Sequence, residues 1–306
     1  MRIVLMGQAA FGEKVLGALL NRGEQVVAVY VPPDQPGSKI DPLKESAQQH
    51  GIPVFQPQRM RDPGIYDKFV ELAPDLGVMA FVTDIVPQSI LDCPRLGTIQ
   101  YHPSLLPRHR GRSAINWAII NGDTKTGITI LWPDAGIDTG PILLQKEADI
   151  SLNDTVGSLY YNKLFPLGVE ALMESIDLIY KGEAPRIPQD ESQATYERPC
   201  REKDAVIAWA QPITKVYNLI RGTNPQPGAT TSLRGRKLKI FECELVMQNV
   251  TAAPGEVMES SDKGIAVAGQ GGWLLIKRVQ PQGQPKINAS EYALSVGLRA
   301  GRDSAS

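Results

Sequence analysis

The chain has 306 residues, 42% hydrophobic and 21% charged, which is enough for a sizeable core and for two domains. Lys plus Arg number 32 against 33 Asp plus Glu, a formal net charge of −1, which argues against a protein built mainly to hold nucleic acid. Its three cysteines, Cys93, Cys200 and Cys243, are far apart and have no ligand spacing, so neither a disulfide framework nor a metal centre is expected.

Residues 2–6 read as a buried strand ended by Gly7, too short an apolar run for a secretory leader. No run approaches the roughly 18 apolar residues of a membrane span, so a cytoplasmic protein is expected. Residues 11–21 then follow a helical period, 25–31 a valine-rich strand, 43–50 a short helix and 54–55 a short strand. A helical stretch at 65–72 precedes strands at 76–81 and 98–101. Strands alternating with helices predict an α/β domain with a Rossmann-like, doubly wound parallel sheet, whose ligands sit outside the carboxyl ends of the strands.

Residues 128–132 read as a further strand and 155–180 as a long helical stretch broken near Phe165-Pro166. The polar, proline-containing stretch that follows, 186–203, reads as a linker between a catalytic domain over 1–185 and a second domain over 204–306. In the latter, a helix at 214–221 and short strands at 228–233, 237–245, 255–259, 264–268 and 273–280 predict a small β-rich, barrel-like fold. Residues 301–306 are expected to be a disordered tail.

There are three histidines. His50 precedes a glycine at a helix end, where it reads as a capping or surface residue. The other two lie in Gln100-Tyr101-His102-Pro103-Ser104-Leu105-Leu106-Pro107-Arg108-His109-Arg110-Gly111-Arg112, directly after a predicted strand. This segment fits a rigid surface loop with solvated arginines as well as it fits a site. The second loop is Asp134-Ala135-Gly136-Ile137-Asp138-Thr139-Gly140, which also follows a predicted strand. Its Asp and Gly residues suit an ordinary turn, or can place Asp138 where a carboxylate orients a histidine. Near the start, Gly7-Gln8-Ala9-Ala10-Phe11-Gly12 lacks the dinucleotide-binding spacing.

Taken together, Tyr101–Gly111 and Ile137-Asp138-Thr139-Gly140 resemble the formyltransferase family that uses 10-formyltetrahydrofolate. The likeness extends through Ser113-Ala114-Ile115-Asn116-Trp117, Gly122-Asp123, Leu143-Leu144-Gln145-Lys146-Glu147 and Ile220-Arg221-Gly222. It is greatest to the N-terminal hydrolase domain of 10-formyltetrahydrofolate dehydrogenase, and methionyl-tRNA formyltransferase is also similar. The resemblance implies that His102 and Asp138 are the catalytic pair and that 10-formyltetrahydrofolate is the co-substrate. Asp84, Ile85 and Val86 would contact the folate through backbone groups, and Ser104, Leu105, Leu106, Pro107 and Asp134 would complete its wall. Formyl transfer passes through a tetrahedral intermediate whose oxyanion needs a positioned donor, and an imidazole can donate there or carry the proton.

One position departs from the family. Gln100 stands where most members carry an Asn that helps hold the formyl oxygen. It can do the same work, do it poorly, or face a neighbouring strand. The acceptor is read from charge: the stretch 32–39 has the single lysine Lys39 where tRNA-modifying members carry a basic insertion. Water or a small amine is therefore expected ahead of initiator tRNA, although Arg234, Arg236, Lys237 and Lys239 leave a basic edge. The full dehydrogenase activity is not expected, because its further domains have no room in 306 residues. A folate-binding regulatory protein without chemistry is the non-enzymatic alternative, and retention of His102 with Asp138 speaks against it.

Overall fold

A computed structural model describes residues 1–306. In chain order its first elements are β1 (Arg2–Gly7), α1 (Ala9–Asn21), β2 (Gln25–Tyr30), α2 (Pro42–Gln49), β3 (Val54–Phe55), α3 (Ile65–Glu71) and β4 (Leu76–Ala80). Then come α4 (Gln88–Leu91), β5 (Thr98–His102), β6 (Arg110–Gly111), α5 (Ala114–Asn121), β7 (Lys125–Leu131), β8 (Ile142–Asp149), α6 (Val156–Leu159) and α7 (Phe165–Lys181). The remainder holds β9 (Tyr196–Glu197), α8 (Ile213–Gly222), β10 (Ala229–Leu233), β11 (Arg236–Val246), β12 (Val257–Ser261), β13 (Gly264–Gly269), β14 (Gly272–Pro281), β15 (Ile287–Asn288) and α9 (Ala289–Val296).

Two compact units divide the chain without following its order. One comprises Met1–Gly111, Gly127–Ala148 and Tyr161–Tyr196; the other comprises Arg112–Thr126, Asp149–Tyr160 and Glu197–Ser306.

The first unit carries a seven-stranded sheet in the order β3-β2-β1-β4-β5-β7-β8. Its first five strands pair in parallel, as strand–helix alternation predicts. Both faces of β1 are buried because successive side chains point to opposite sides. Val4 and Met6 join Tyr30, Met79, Phe69, Ile90 and Leu91 in one apolar layer. On another side of the fold the Phe11 ring of α1 lies 4.3 Å from Tyr101 and 5.3 Å, edge-on, from Phe165. Helix α7 approaches closely at Gly168, where a Cβ would lie 2.4 Å from the Tyr101 ring. Beyond β5 the pattern changes: β7 runs antiparallel to β5, so the sheet is mixed rather than wholly parallel. The physical reason is that α5, between those strands, belongs to the second unit, and an antiparallel neighbour needs no crossover helix. Strand β8 escapes the sequence reading because its second half, Gln145-Lys146-Glu147-Ala148-Asp149, is almost wholly polar in sequence and shows its alternation only in burial.

The second unit has an antiparallel sheet ordered β10-β11-β14-β13-β12, with β15 on β14. Ile213, Val216 and Ile220 of α8 pack into one core with Ile240, Ile265, Leu274 and Ile276. Helix α5 docks on α8 in the same unit, and Asn116 Nδ2 donates to Gly222 O at 2.9 Å. The expected disordered tail is ordered. Ala305 bridges to Leu233 of β10 and Ser304 bridges to Glu256 beside β12, so residues 303–306 join the two edges of the sheet. Four backbone bonds hold them: Ser232 N to Ser306 O (2.6 Å), Ser306 N to Ser232 O (2.8 Å), Ala305 N to Gly255 O (2.7 Å) and Val257 N to Asp303 O (3.0 Å). The polar, glycine-containing sequence hid this because main-chain pairing leaves no side-chain signature. Ending the chain at Arg302 is expected to cost about 2–4 kcal/mol at roughly 1 kcal/mol per bond, measured by urea unfolding.

Residues 186–203, read as a linker, are bonded along their length. Trp132 Nε1 donates to Pro185 O (2.8 Å), Ile187 exchanges two bonds with Ile142, and Arg110 N donates to Thr195 O (2.9 Å). Further on, Arg112 N donates to Glu197 O and Cys200 N to Ser113 Oγ. No helix of the chain is long and apolar enough to cross a membrane.

Candidate functional site

Gln100 and His102 are alternate residues of β5, so they leave the sheet on the same face, with His102 at the carboxyl end of the strand. Asp138 comes from the loop between β7 and β8. The structure brings the three together. His102 Nδ1 lies 3.5 Å from Asp138 Oδ2, with only 6% and 8% of the two side chains exposed. His102 Nε2 lies 2.8 Å from the carbonyl oxygen of His109. A carbonyl only accepts, so Nε2 carries a proton and Nδ1 is the nitrogen presented to the aspartate.

Both oxygens of Asp138 face donors. Gln100 Nε2 donates to Oδ1 at 2.6 Å, and the Gly111 amide donates to Oδ2 at 2.8 Å. This is the environment an ionised carboxylate needs. The extra methylene of Gln100 carries its amide onto Asp138. Gln100→Ala is expected to lower kcat about 10–100-fold with little change in KM, since a hydrogen bond to a charged group contributes about 1.5–3 kcal/mol. Steady-state kinetics checks this.

The residues expected to contact folate fall into two groups. Ile85 is largely exposed, and Phe81 and Ile137 also present apolar surface on loops that follow strands of the sheet. Asp84 instead turns its carboxylate to the chain, accepting from Met60 N (2.7 Å) and Ile85 N (2.9 Å), while Val86 packs into the core. Asp134 accepts from Gly136 N (3.0 Å) and Thr139 Oγ1 (2.6 Å), which shapes its own loop. Ser104 is fully buried and donates to Arg108 O at 2.7 Å. Leu106 packs with Leu131 and Ile142. Leu105 remains half-exposed beside Gly127, where a Cβ would come within 2.6 Å of its Cδ2; Pro107 is half-exposed and joined to Leu106 by a cis peptide bond.

Thr129 of β7 and Gln145 of β8 hold the 103–107 loop in place. Thr129 Oγ1 donates to Ser104 O (2.7 Å) and accepts from Leu106 N (3.1 Å), and Gln145 Nε2 donates to Leu106 O (2.8 Å). A cavity of about 290 Å³ opens where β1, β2 and β4 end, lined in part by Gly7, Tyr30, Arg59, Phe81 and Asp84. His102, Gln100 and Asp138 do not line it.

Two residues that sequence reasoning missed stand behind Asp138. Gln189 Nε2 donates to the carbonyls of Asp138 and Gly140 at 2.8 Å each, and Arg110 is fully buried against Gln189 and Glu191. The guanidinium of Arg110 holds the Glu191 carboxyl below the usual carboxylate range through that hydrogen bond. Gln189 lies about fifty residues from Asp138 in a stretch with no periodicity, so nothing in the sequence marks it.

The family model described as "Formyl transferase" matches residues 1–176, and that described as "Formyl transferase, C-terminal domain" matches 200–296. Methionyl-tRNA formyltransferase of Syntrophus aciditrophicus is 37% identical over 304 residues, 98% of this chain and 97% of that protein. Mitochondrial 10-formyltetrahydrofolate dehydrogenase of Mus musculus is 39% identical over 308 residues, 95% of this chain; the chain spans only 33% of that protein's length. The N-formyltransferase from Helicobacter canadensis, solved in complex with folinic acid and dTDP-3-aminofucose, superposes with a TM-score of 0.70 at 19% identity. It covers 92% of this chain and 99% of its own, a likeness of fold alone. With both family models matched in order and a relative of equal length above one-third identity, the chain belongs to the formyl transferase family.

Proposed function

We propose that this chain transfers the formyl group of 10-formyltetrahydrofolate to an amine, with methionyl-tRNA as the acceptor, in the cytoplasm. The observation that carries the reaction is the buried His102–Asp138 pair, 3.5 Å apart at the carboxyl edge of the sheet. The folate supplies the activated formyl carbon. Exposed Ile85, Phe81 and Ile137 suit its flat ring system, and no metal is called for.

The division of labour follows from the proton positions. His102 keeps its Nε2 proton on the His109 carbonyl and therefore exchanges protons at Nδ1. As base, Nδ1 takes the proton of the incoming nucleophile; as imidazolium, it donates toward the formyl oxygen or the departing nitrogen. Asp138 stabilises that imidazolium and keeps its ring oriented, while Gln100 and the Gly111 amide keep the carboxylate still.

Charge balance put water or a small amine ahead of tRNA. The near-complete correspondence in length with a methionyl-tRNA formyltransferase supports the opposite order. A second reading, with water as acceptor, keeps two observations in its favour. Gln100 donates to Asp138, and the 32–39 stretch has Lys39 as its one lysine.

The test is to follow tetrahydrofolate release from 10-formyltetrahydrofolate with and without charged initiator tRNA. Formyl-methionyl-tRNA accumulating well above the acceptor-free release supports transfer. Equal release in both, with unmodified tRNA, supports hydrolysis. Binding of the folate with no release in either overturns both readings and leaves a folate-binding protein.

A further inference from the structure

Asp138 occupies the left-handed region with φ 57°, uncommon for a non-glycine residue though more accessible to Asp and Asn than to most, and its loop is held there. The side chain of Gln189 supplies the hold. Both hydrogens of its Nε2 are used, on Asp138 O and Gly140 O. Its Oε1 accepts twice from Arg110, from Nε at 3.1 Å and Nη2 at 2.8 Å. Arg110 spends its other donors on Glu191 (Nη1–Oε2 2.9 Å, Nη2–Oε1 2.6 Å) and on the Tyr196 hydroxyl (2.7 Å). All five guanidinium donors are therefore engaged, as are all four bonding positions of the amide. The amide has one orientation: reversed, it would set its oxygen against two carbonyl oxygens and its NH2 against a guanidinium.

Arg110 also sits between the two main-chain groups that touch the pair. The residue before it, His109, provides the carbonyl for His102 Nε2; the residue after it, Gly111, provides the amide for Asp138 Oδ2. One buried side chain thus immobilises the backbone under His102 and, through Gln189, the backbone of Asp138. Because interactions in such a saturated buried network support one another, loosening one member displaces the rest.

We propose that Gln189 is a positioning residue for Asp138, acting with Arg110 and tethered outward by Glu191. The part of the first unit that reads in sequence as a linker is then part of the catalytic apparatus. This rests on His102 and Asp138 being the reacting pair, as argued under the proposed function.

Gln189→Glu is the sharpest variant, since it keeps the shape but replaces the NH2 by an oxygen that opposes two carbonyls. Its kcat for tetrahydrofolate release is expected to fall about 10–100-fold with KM for 10-formyltetrahydrofolate within about twofold, the pattern of a misplaced reacting group. Gln193→Ala, which removes an amide bonded only to Asp190 in the same stretch, should keep the wild-type kcat. A second readout needs no turnover: the Gly111 amide proton, deshielded by Asp138, should move upfield in Gln189→Glu. Wild-type kcat in Gln189→Glu with an unmoved Gly111 resonance overturns the proposal. So does a loss shared equally by Gln193→Ala, which would assign the stretch a general structural role. If the wild-type chain releases no tetrahydrofolate either with or without charged initiator tRNA, the proposed function fails, and the Gly111 resonance alone decides the role of Gln189.

Discussion

His102→Ala is expected to lower tetrahydrofolate release by about 10²–10⁴-fold, the range typical for loss of a positioned acid–base group. The imidazole is the acid–base side chain that meets Asp138, whereas Gln100 and the Gly111 amide offer it only hydrogen-bond donors. Structural damage should be modest. The His109 carbonyl loses its 2.8 Å partner and keeps a longer contact with Ser104 Oγ at 3.4 Å, so stability should drop by about 1–2 kcal/mol. Circular dichroism and urea unfolding separate that loss from the kinetic one. A folded variant retaining most of the wild-type rate would remove His102 from the chemistry. KM for the folate should change little, because the lost group acts on the reacting atoms and not on the exposed apolar loops.

Asp138→Asn should cost about 10²–10³ in kcat, through lost charge beside the imidazolium and through a conflict of donors. Both carboxylate oxygens accept, one from Gln100 and one from the Gly111 main chain. An asparagine offers a single acceptor. The Gly111 amide cannot turn, so it keeps the new oxygen, and the new NH2 then confronts Gln100 Nε2 until that amide flips. Asn tolerates the left-handed backbone that Asp138 adopts, so the loop itself should survive. The double variant Asp138→Asn with Gln100→Glu restores a donor–acceptor match without restoring the local geometry of charge. It should regain stability but not rate. Recovery of the rate by that pair would show that hydrogen bonding alone, and not the charge on Asp138, serves the reaction.

Much of this was legible in the sequence. Periods of two and 3.6 in apolar residues located the strands and helices from β1 to β5, because burial of both faces leaves long apolar runs such as Ile3–Met6 and Val78–Ala80. Topology then placed the end of β5, with His102, at the carboxyl edge of the parallel strands. The loop after the antiparallel β7 starts from the other end and has to fold back for Asp138 to meet His102. The motifs around those two residues also named the family, since the chemistry restricts residue type at few positions.

What tertiary structure alone decided is carried by polar contacts between residues distant in sequence. Hydrogen bonds have no period, so the tail pairing of Ser304 and Ala305, the strand β8 and the role of Gln189 left no trace in the pattern. Arg110 read as one more basic residue of a surface loop, and only its burial beside Gln189 and Glu191 distinguishes it from exposed Arg108. The destination of Gln100 was equally hidden. Strand alternation puts it on the His102 face, but whether its amide meets Asp138 depends on where a loop thirty-eight residues later returns. The apolar pattern therefore located the parallel half of the fold, and the motifs around His102 and Asp138 pointed to them as the proposed reacting pair. The three-dimensional closure of polar groups around Asp138 determined how that pair is held, because satisfying buried donors and acceptors is a condition on the folded chain and not on any segment of it.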